Sequence, residues 1–374
     1  MNISLSKLTI ALLAPLVFTS APVRAADFDL AKHEKATQAA MKGPQNWVGP
    51  TDKLLPPKDI KLAIIACDMT LAGCSVSAEA AAEAAKTLGW KVDIYDGRSD
   101  FATQNRLITQ AVATGANAIL ADSINPELVK TGIAAAHAKG VIIGGIFVGS
   151  GVGKDGYAFD IGPNWKKIGE AQGDWIISSS KGKAITLPLN DLEFSTVVTL
   201  VNSSVETLKK CPDCKTLDQE TFVAGDIGNG LGRRVLGLLQ RNPEVSYLYG
   251  TYDPAIADMV PSIMNAGLGD KVKIVGQVGN PENLKYIKEG KAQAATVALD
   301  ATYAGWMAVD ATIRMLTNVP LMKSRITDDP DFLYSGDCPF ILYTKDNLPA
   351  DLEKPWEAPI NTRANFKKLW GVEG

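Results

Sequence analysis

The sequence of 374 residues is poor in histidine and has no excess of positive charge. Of its two histidines, His33 lies in an N-terminal lead and His137 in a predicted helix away from the predicted strand ends. A catalytic triad or a zinc site built on histidine is therefore hard to assemble. The formal net charge of −3, with no run of lysine and arginine, argues against nucleic-acid binding. We expect no metal, no cofactor and no nucleic-acid partner.

Long apolar runs are absent after the first 25 residues. That segment, 1–25, has the parts of a secretory signal peptide: Lys7 near the start, an apolar stretch over 8–18, and small residues up to Ala25. The apolar stretch is too short to span a bilayer. No cysteine directly follows Ala25, so a lipid anchor is not expected. We predict export to the periplasm, with cleavage near Ala25.

The chain has five cysteines, and an oxidising compartment favours disulfides among them. Cys211 and Cys214 follow a predicted helix and precede a predicted strand, where a bridge would fix the connection. A redox-active pair would instead have its first cysteine opening a helix. We therefore predict a structural disulfide between Cys211 and Cys214. Cys67 and Cys74 flank one loop and leave their pairing open, and the state of Cys338 is also open.

Residues 61–148 alternate between short apolar runs and longer segments with apolar residues three and four apart. The short runs, such as 61–67 and 141–148, predict strands buried on both faces, and the longer segments predict helices that cover them. Such alternation produces a parallel sheet with right-handed crossovers. Ligands bind these sheets at the carboxyl ends of the strands. Candidate site residues are therefore sought at those ends.

A glycine-rich break at 149–156 separates this series from a second one. The second series runs from a helix at 165–179 to a strand at 294–299, and a long apolar helix at 303–316 follows. Ahead of both series, residues 26–59 predict a helix and then a proline-rich arm. The pattern indicates an α/β chain of two similar lobes, each a doubly wound parallel sheet.

Two glycine-rich segments resemble nucleotide-binding loops without completing them. At 149–154, Val148 occupies the first glycine position of a phosphate loop, and Asp155 stands where Ser or Thr would meet magnesium. At 228–232, Arg233 fills the last glycine position of a dinucleotide fingerprint. We interpret the first segment as a hinge and expect no enzymatic activity. Paired carboxylates in a cleft leave a hydrolase as the enzymatic alternative.

Several stretches, in this order along the chain, resemble one known family. They are 47–51 (Trp-Val-Gly-Pro-Thr), 89–97, 103–111, 116–120, 136–143, 273–276 and 290–296. Over roughly residues 60–345 the chain resembles the periplasmic solute-binding proteins of ABC importers. The similarity is to the sugar-binding branch that includes the ribose-binding protein.

This resemblance implies the type I periplasmic-binding-protein fold, with a hinge of three crossings. Lobe 1 would comprise 60–148 with 297–320, and lobe 2 would comprise 158–294 with parts of 321–374. A small solute would enter the cleft, the lobes would close, and the closed form would dock on an inner-membrane ABC permease. We expect a monomer. A sensor role with a chemoreceptor as partner uses the same fold and stays open.

The strand ends depart from the sugar-binding pattern of this family. Where many members have an Asp-Arg pair, this chain has Phe147 and Val148, and Tyr252 replaces an Asn. Val278 replaces an Asp, and Leu299 replaces a Gln. Polar groups that hold a pyranose or furanose are therefore missing, and each buried polar group left unpaired costs about 1–3 kcal/mol. A ribose-like sugar bound in the usual way is not expected.

The polar and aromatic residues that remain at the strand ends form the predicted site. They are Asp68, Met69, Thr70, Asp122, Phe147, Asn190, Asp191, Phe194, Asp226, Asn229, Tyr252, Asp253, Gln277 and Asp300. The set suits hydroxyl groups, ammonium groups and flat apolar faces, and it suits phosphates and carboxylates poorly. We predict capture of a neutral polyhydroxylated solute, a polyol or sugar, with an aromatic or amine-bearing molecule as the alternative. An Asp after a strand is also a common helix cap.

Overall fold

The computed structural model describes residues 28–322 and 337–372. The predicted signal peptide at 1–25 lies outside the described residues. The described chain begins with helix α1 (Leu30–Ala40), and two separate sheets flanked by helices follow. The predicted α/β fold with two parallel-sheet lobes is confirmed. None of the described helices combines the length and apolar character that a bilayer span requires.

Lobe 1 is built on a five-stranded parallel sheet. Its strands are β1 (Lys61–Ala66), β2 (Lys91–Asp96), β3 (Ala118–Asp122), β4 (Ile142–Ile146) and β5 (Asp160–Ile161). They lie in the order β2-β1-β3-β4-β5. The covering helices are α2 (Ala72–Thr87), α3 (Phe101–Ala113) and α4 (Lys130–Ala138), with a 3-10 turn at Pro126–Leu128. The apolar runs of β1 and β3 are buried almost throughout, as expected for strands covered on both faces.

Lobe 2 is built on a larger sheet. Its strands are β6 (Ile185–Asp191), β7 (Lys215–Thr216), β8 (Glu220–Phe222), β9 (Tyr247–Tyr249), β10 (Lys273–Val278), β11 (Gln293–Leu299) and β12 (Phe340–Thr344). They lie in the order β12-β11-β10-β9-β6-β7, and β8 pairs separately with β6. The pairing is parallel except between β11 and β12. The helices are α5 (Trp165–Ser179), α6 (Ser195–Leu208), α7 (Leu231–Arg241), α8 (Asp253–Asn265) and α9 (Pro281–Glu289), with a 3-10 turn at Ala224–Asp226.

Helix α10 (Ala301–Thr317) returns the chain to lobe 1, where it packs along α2. The contact is close, since a Cβ on Gly305 would lie 2.5 Å from backbone atoms of Ser77 and Ala81. The sequence assigned 297–320 to lobe 1, but β11 pairs along its length with strands of lobe 2. The chain therefore changes lobe at Asp300, whose carboxylate caps α10.

The two ends of the described chain connect the lobes. Helix α1 packs on α5 of lobe 2, and His33 Nδ1 lies 2.6 Å from Asp174 Oδ1. The proline-rich arm then reaches lobe 1, where the ring of Trp47 packs edge to face on Phe366. The tail leaves β12 and ends in α11 (Thr362–Trp370), which packs on α10. The segment between β12 and α11 thus passes from lobe 2 to lobe 1 beside the cleft.

Candidate ligand-binding site

A cleft lies between the lobes at the carboxyl ends of both sheets, where ligands bind open α/β sheets. Lobe 1 contributes residues that follow β1, β3 and β4, and lobe 2 contributes residues near the ends of β6, β9, β10 and β11. The two lobes meet within it, because a Cβ on Gly73 of lobe 1 would lie 3.6 Å from the Val278 side chain of lobe 2. A solute in this cleft would contact both lobes at once.

The lobe 1 wall of the cleft is apolar. After β1, a disulfide between Cys67 and Cys74 closes a loop at the start of α2, and Leu71 within that loop lines the cleft. Phe147, the residue after β4, adds an aromatic ring and has a φ of 55°, which is uncommon for a bulky residue. Ser123 is the hydroxyl that the described part of this wall contributes.

The lobe 2 wall carries a pair of aromatic rings. Phe194 precedes α6 and Tyr252 precedes α8, and their rings pack edge to face with centroids 5.8 Å apart. The Tyr252 hydroxyl donates a hydrogen bond to Asp191 Oδ2 at 2.8 Å. Burial raises the pKa of Asp191 to about 7, although the Glu193 N–H and the Tyr252 hydroxyl act to lower it. Tyr252 therefore offers the cleft its ring, since its hydroxyl is already engaged.

The amide groups of the lobe 2 wall lie at the end of β10. Gln277 and Asn280 line the cleft there, on either side of Val278, whose φ is 103°. This loop is held by Asp253, whose Oδ2 accepts the backbone N–H of Gly279 at 2.8 Å and that of Asn280 at 2.9 Å. Burial raises the pKa of Asp253 to about 6 despite these hydrogen bonds. The buried acid positions the loop.

Two tryptophans that were not predicted from the sequence complete the cleft. Trp165 opens α5, and its ring packs edge to face on Phe147 with centroids 6.0 Å apart. Trp356 lies in the tail between β12 and α11. Trp165 follows a strand of only two residues, and Trp356 lies in a tail without a repeating pattern. The spacing of apolar residues therefore indicated neither tryptophan as a site residue. A tryptophan among charged residues and proline at 351–357 was the available signal.

The cleft is uncharged in the part of the chain that the structure describes: no Asp, Glu, Lys, Arg or His lines it. The described residues also hold no cluster of three His, Cys, Asp or Glu side chains arranged to bind a metal ion. What the cleft offers a solute is therefore aromatic and aliphatic surface, two side-chain amides, an indole N–H and hydroxyls. This chemistry suits an uncharged molecule.

Of the residues predicted from the sequence, four line the cleft. They are Phe147, Phe194, Tyr252 and Gln277. The two Phe and the Tyr supply rings, and Gln277 supplies a side-chain amide. The other predicted residues do not line the cleft, and most of their polar groups bond within the protein.

Three of those others are buried carboxylates with internal partners. Asp253 holds the loop after β10. Asp122 accepts a hydrogen bond from the Ser77 hydroxyl at 2.5 Å, and burial raises its pKa well above the usual range. Asp300 accepts the backbone N–H groups of Tyr303 and Ala358, both at 2.8 Å, and burial raises its pKa to about 7. Asp300 is thus a helix cap, the alternative that the sequence left open.

The predicted residues after β1 form a turn. Asp68 Oδ1 accepts hydrogen bonds from the Thr70 hydroxyl at 2.6 Å and from its backbone N–H at 2.8 Å. The Ser99 hydroxyl bonds to the second oxygen of Asp68, and the Met69 N–H donates to Asp96. These polar groups hold the turn that leads into the disulfide loop.

The remaining predicted residues are in lobe 2. The Asn190 Nδ2 donates to Gln219 at 3.0 Å. Asp226 pairs with Arg234 at 3.1 Å, and the Asn229 side chain donates to its own turn at 2.7 Å. Asp226 and Asn229 stabilise the segment that leads into α7 and lie away from the cleft lining.

Four of the five cysteines form two disulfides. The predicted Cys211–Cys214 bridge is confirmed, with Cα atoms 5.3 Å apart. Cys67 and Cys74, which the sequence left open, are also bonded, with Cα atoms 5.8 Å apart. Cys338 is buried with a free thiol.

Comparison with known proteins identifies the family. A family model described as a periplasmic binding protein domain matches residues 68–318. The chain belongs to this family. The comparison of this chain with curated proteins found no match.

This periplasmic binding protein is similar in structure to solute-binding proteins of transporters. An ABC transporter solute-binding protein from Agrobacterium vitis with bound allitol is 16% identical with a TM-score of 0.68, covering 77% of this chain and 96% of that chain. The 5-methylthioribose-binding protein from Thermotoga lettingae is 18% identical with a TM-score of 0.68, covering 85% and 94%. The Caulobacter myo-inositol binding protein is 18% identical with a TM-score of 0.65, covering 79% and 96%. These similarities show the type I fold.

Proposed function

We propose that this protein is the exported solute-binding component of an ABC importer. It captures a small uncharged solute between its lobes and delivers it to a membrane permease. The observation that carries this proposal is the cleft, which is lined by both lobes and the tail and has no charged side chain in the described lining. A solute that contacts both lobes stabilises the closed form, because those contacts exist together only when the lobes meet.

The family and the transporter proteins of similar fold support the import role. The signal peptide predicted at 1–25 supports a periplasmic location. A chemoreceptor could bind the same closed form, but the similar proteins are named as parts of transporters, so import is the role proposed. We propose that the protein acts as a monomer, because one chain supplies both lobes and the tail that form the described lining of the cleft.

The side chains that line the cleft favour one class of solute over the others. The bound allitol and myo-inositol of the similar proteins support a polyol. A polyol has hydroxyl groups around its whole rim, however, and the described lobe 1 wall offers it Ser123 alone. An amine has no carboxylate to meet in the described lining. The aromatic rings therefore favour an aromatic solute, the predicted alternative, over the polyol.

A thermal-shift screen tests the proposed function. The mature protein would be heated with polyols, sugars and aromatic alcohols, and with charged analogues of each. A solute at 100 times its Kd adds about 2.7 kcal/mol to the free energy of unfolding, which raises Tm by a few degrees. We expect one uncharged class to raise Tm, and the rise to disappear in Phe194→Ala and Trp356→Ala.

The Asp226→Ala variant is the control and should keep the full shift, because Asp226 is partly exposed and lies outside the described cleft lining. Small-angle scattering on the stabilised sample should record a smaller radius of gyration. A shift produced by charged compounds alone, or one that survives both cleft variants, would remove the support for this function.

A further inference from the structure

Three buried polar atoms that belong to cleft-lining residues lack hydrogen-bond partners among the described residues. They are Trp165 Nε1, Gln277 Oε1 and Asn280 Oδ1. The side chains of Trp165 and Gln277 are each 3% exposed, so water does not replace the missing partners freely. Leaving a buried polar group unpaired is unfavourable, and native proteins contain few such groups. Twelve such side-chain atoms occur among the described residues, and these three belong to side chains that line the cleft, where a bound molecule can supply their partners.

These polar atoms all belong to lobe 2. Trp165 opens α5, and Gln277 and Asn280 lie at the end of β10. The facing lobe 1 wall consists of the Cys67–Cys74 disulfide, aliphatic side chains, the ring of Phe147 and the hydroxyl of Ser123. The amide and indole groups of the described lining are thus confined to lobe 2. A molecule that matches the cleft has its hydrogen-bonding groups on one edge and an apolar body.

The apolar surface is largely aromatic. Phe147, Phe194, Tyr252 and Trp356 line the cleft with rings, and Phe194 and Tyr252 meet edge to face. Aromatic rings pack favourably on other aromatic rings through offset and edge-to-face contacts. Asp191, the acid next to this group, is engaged with the Tyr252 hydroxyl, so it is not available to an ammonium group.

We propose that the solute is a small uncharged aromatic compound with hydrogen-bonding groups on one edge, such as a phenol or an aryl alcohol. Its ring lies among Phe147, Phe194, Tyr252 and Trp356, and its polar edge meets Trp165, Gln277 and Asn280. The indole N–H donates to an oxygen of the solute, and the amide oxygens accept from its hydroxyl groups. This assignment rests on the proposed function, since it takes the cleft as the solute site.

Calorimetric titration of the mature protein with three probes tests the assignment. The probes are 2-hydroxybenzyl alcohol, whose two hydroxyl groups lie on one edge of the ring, its charged analogue 2-hydroxybenzoate, and the polyol myo-inositol. We expect 2-hydroxybenzyl alcohol to bind at least tenfold more tightly than the other two. Tighter binding of myo-inositol or of 2-hydroxybenzoate would overturn the assignment of an uncharged aromatic solute. If myo-inositol binding were lost in Phe194→Ala, the proposed cleft function would stand while this inference failed.

A matched pair of tryptophan variants tests the unpaired indole. Trp165→Phe keeps a ring but removes the N–H, so it should weaken binding of 2-hydroxybenzyl alcohol about tenfold. It should leave the Tm of the free protein unchanged or higher, because that N–H has no described partner to lose. Trp90 is also buried, but its N–H donates to the Pro57 carbonyl at 2.9 Å and it does not line the cleft.

Trp90→Phe should therefore lower Tm and leave the affinity unchanged. Gln277→Met, which keeps the length of the side chain and removes the amide, should weaken binding of 2-hydroxybenzyl alcohol severalfold. Unchanged affinity in both Trp165→Phe and Gln277→Met would contradict the assignment, as would a loss of affinity in Trp90→Phe equal to that in Trp165→Phe.

Discussion

The hydroxyl of Tyr252 donates a hydrogen bond to Asp191 Oδ2 over 2.8 Å. This bond determines what both residues can offer a solute. The hydroxyl of Tyr252 is engaged inside lobe 2, which leaves its ring to the cleft, and the carboxylate of Asp191 is buried behind that ring. Asp191 and Tyr252 were both predicted as ligand groups from the sequence. Because their polar groups bond to each other, they present only the apolar ring of Tyr252 to the cleft.

Substitutions at Tyr252 separate the ring from the hydroxyl. Tyr252→Phe should keep the affinity for the cleft solute within about threefold, whereas Tyr252→Ala should lower it at least tenfold, since aromatic contact and apolar burial are lost. Tyr252→Phe should also lower the free energy of unfolding by about 1–3 kcal/mol, because Asp191 loses a donor. Calorimetry and urea unfolding measure the two effects. Equal losses of affinity in both variants would mean that the hydroxyl contacts the solute.

Stability should fall as the pH rises from about 4 to about 7. Burial raises the pKa of Asp191 and of Asp300 to about 7, above the value of about 3.9 expected in the unfolded chain. Between these values the folded state binds more protons than the unfolded state, so the free energy of unfolding decreases with pH. The stabilisation from these protonated acids is fully present below about pH 4 and is lost above about pH 7.

Urea unfolding at intervals from pH 4.5 to 8 checks this dependence. The decline should be shallower in Asp191→Asn, which cannot ionise yet can still accept from Tyr252. A free energy of unfolding that stays level or increases across this range would show that the buried acids are charged without cost.

Two disulfides that each close a short loop, one at the cleft and one away from it, give a paired test of the cleft wall. Removing either bridge should cost about 2 kcal/mol, because each closes a short loop. The variant Cys67→Ala with Cys74→Ala should also weaken binding of the cleft solute, since these residues line the cleft. The variant Cys211→Ala with Cys214→Ala should keep full affinity. Loss of affinity in the second variant, or its retention in the first, would argue against the Cys67–Cys74 loop as a binding wall.

Asp253 and Asp226 give a second matched pair. Asp253→Ala removes the acceptor for the Gly279 and Asn280 N–H groups, for Gln293 and for Thr296, so it should destabilise the protein by about 3 kcal/mol or more. It should also weaken binding of the solute, because the loop that contains Asn280 loses the hydrogen bonds that hold it. Asp226→Ala breaks a partly exposed ion pair with Arg234 and removes the acceptor of the Val223 N–H, so it should cost about 1 kcal/mol, with unchanged affinity. Comparable effects of the two variants would show that Asp253 does not organise the cleft.

The sequence predicted the fold well because its signals are local. The apolar runs of β1 and β3 and the spacing of α6 each specify an element without reference to the rest of the chain. The carboxyl ends of the strands then located the cleft. The point where the chain leaves lobe 2 was less clear, since a buried strand such as β11 reads the same in either sheet.

The site was predicted in part because side-chain direction is not local. Phe147, Phe194, Tyr252 and Gln277 line the cleft, but Asp122 lies one residue from the cleft residue Ser123 and is directed into the protein. Trp356 comes from the tail, which approaches the cleft through tertiary packing alone. Strand ends therefore indicate where a site lies, and contacts decide which residues reach it.

The most direct test of the central claim is a crystal structure of the protein with the compound that stabilises it most. We predict electron density for an uncharged ring between the lobes, in contact with Phe194 and Trp356, with its polar edge within hydrogen-bond distance of Trp165 or Gln277. Density outside the cleft, or a charged compound within it, would contradict the account.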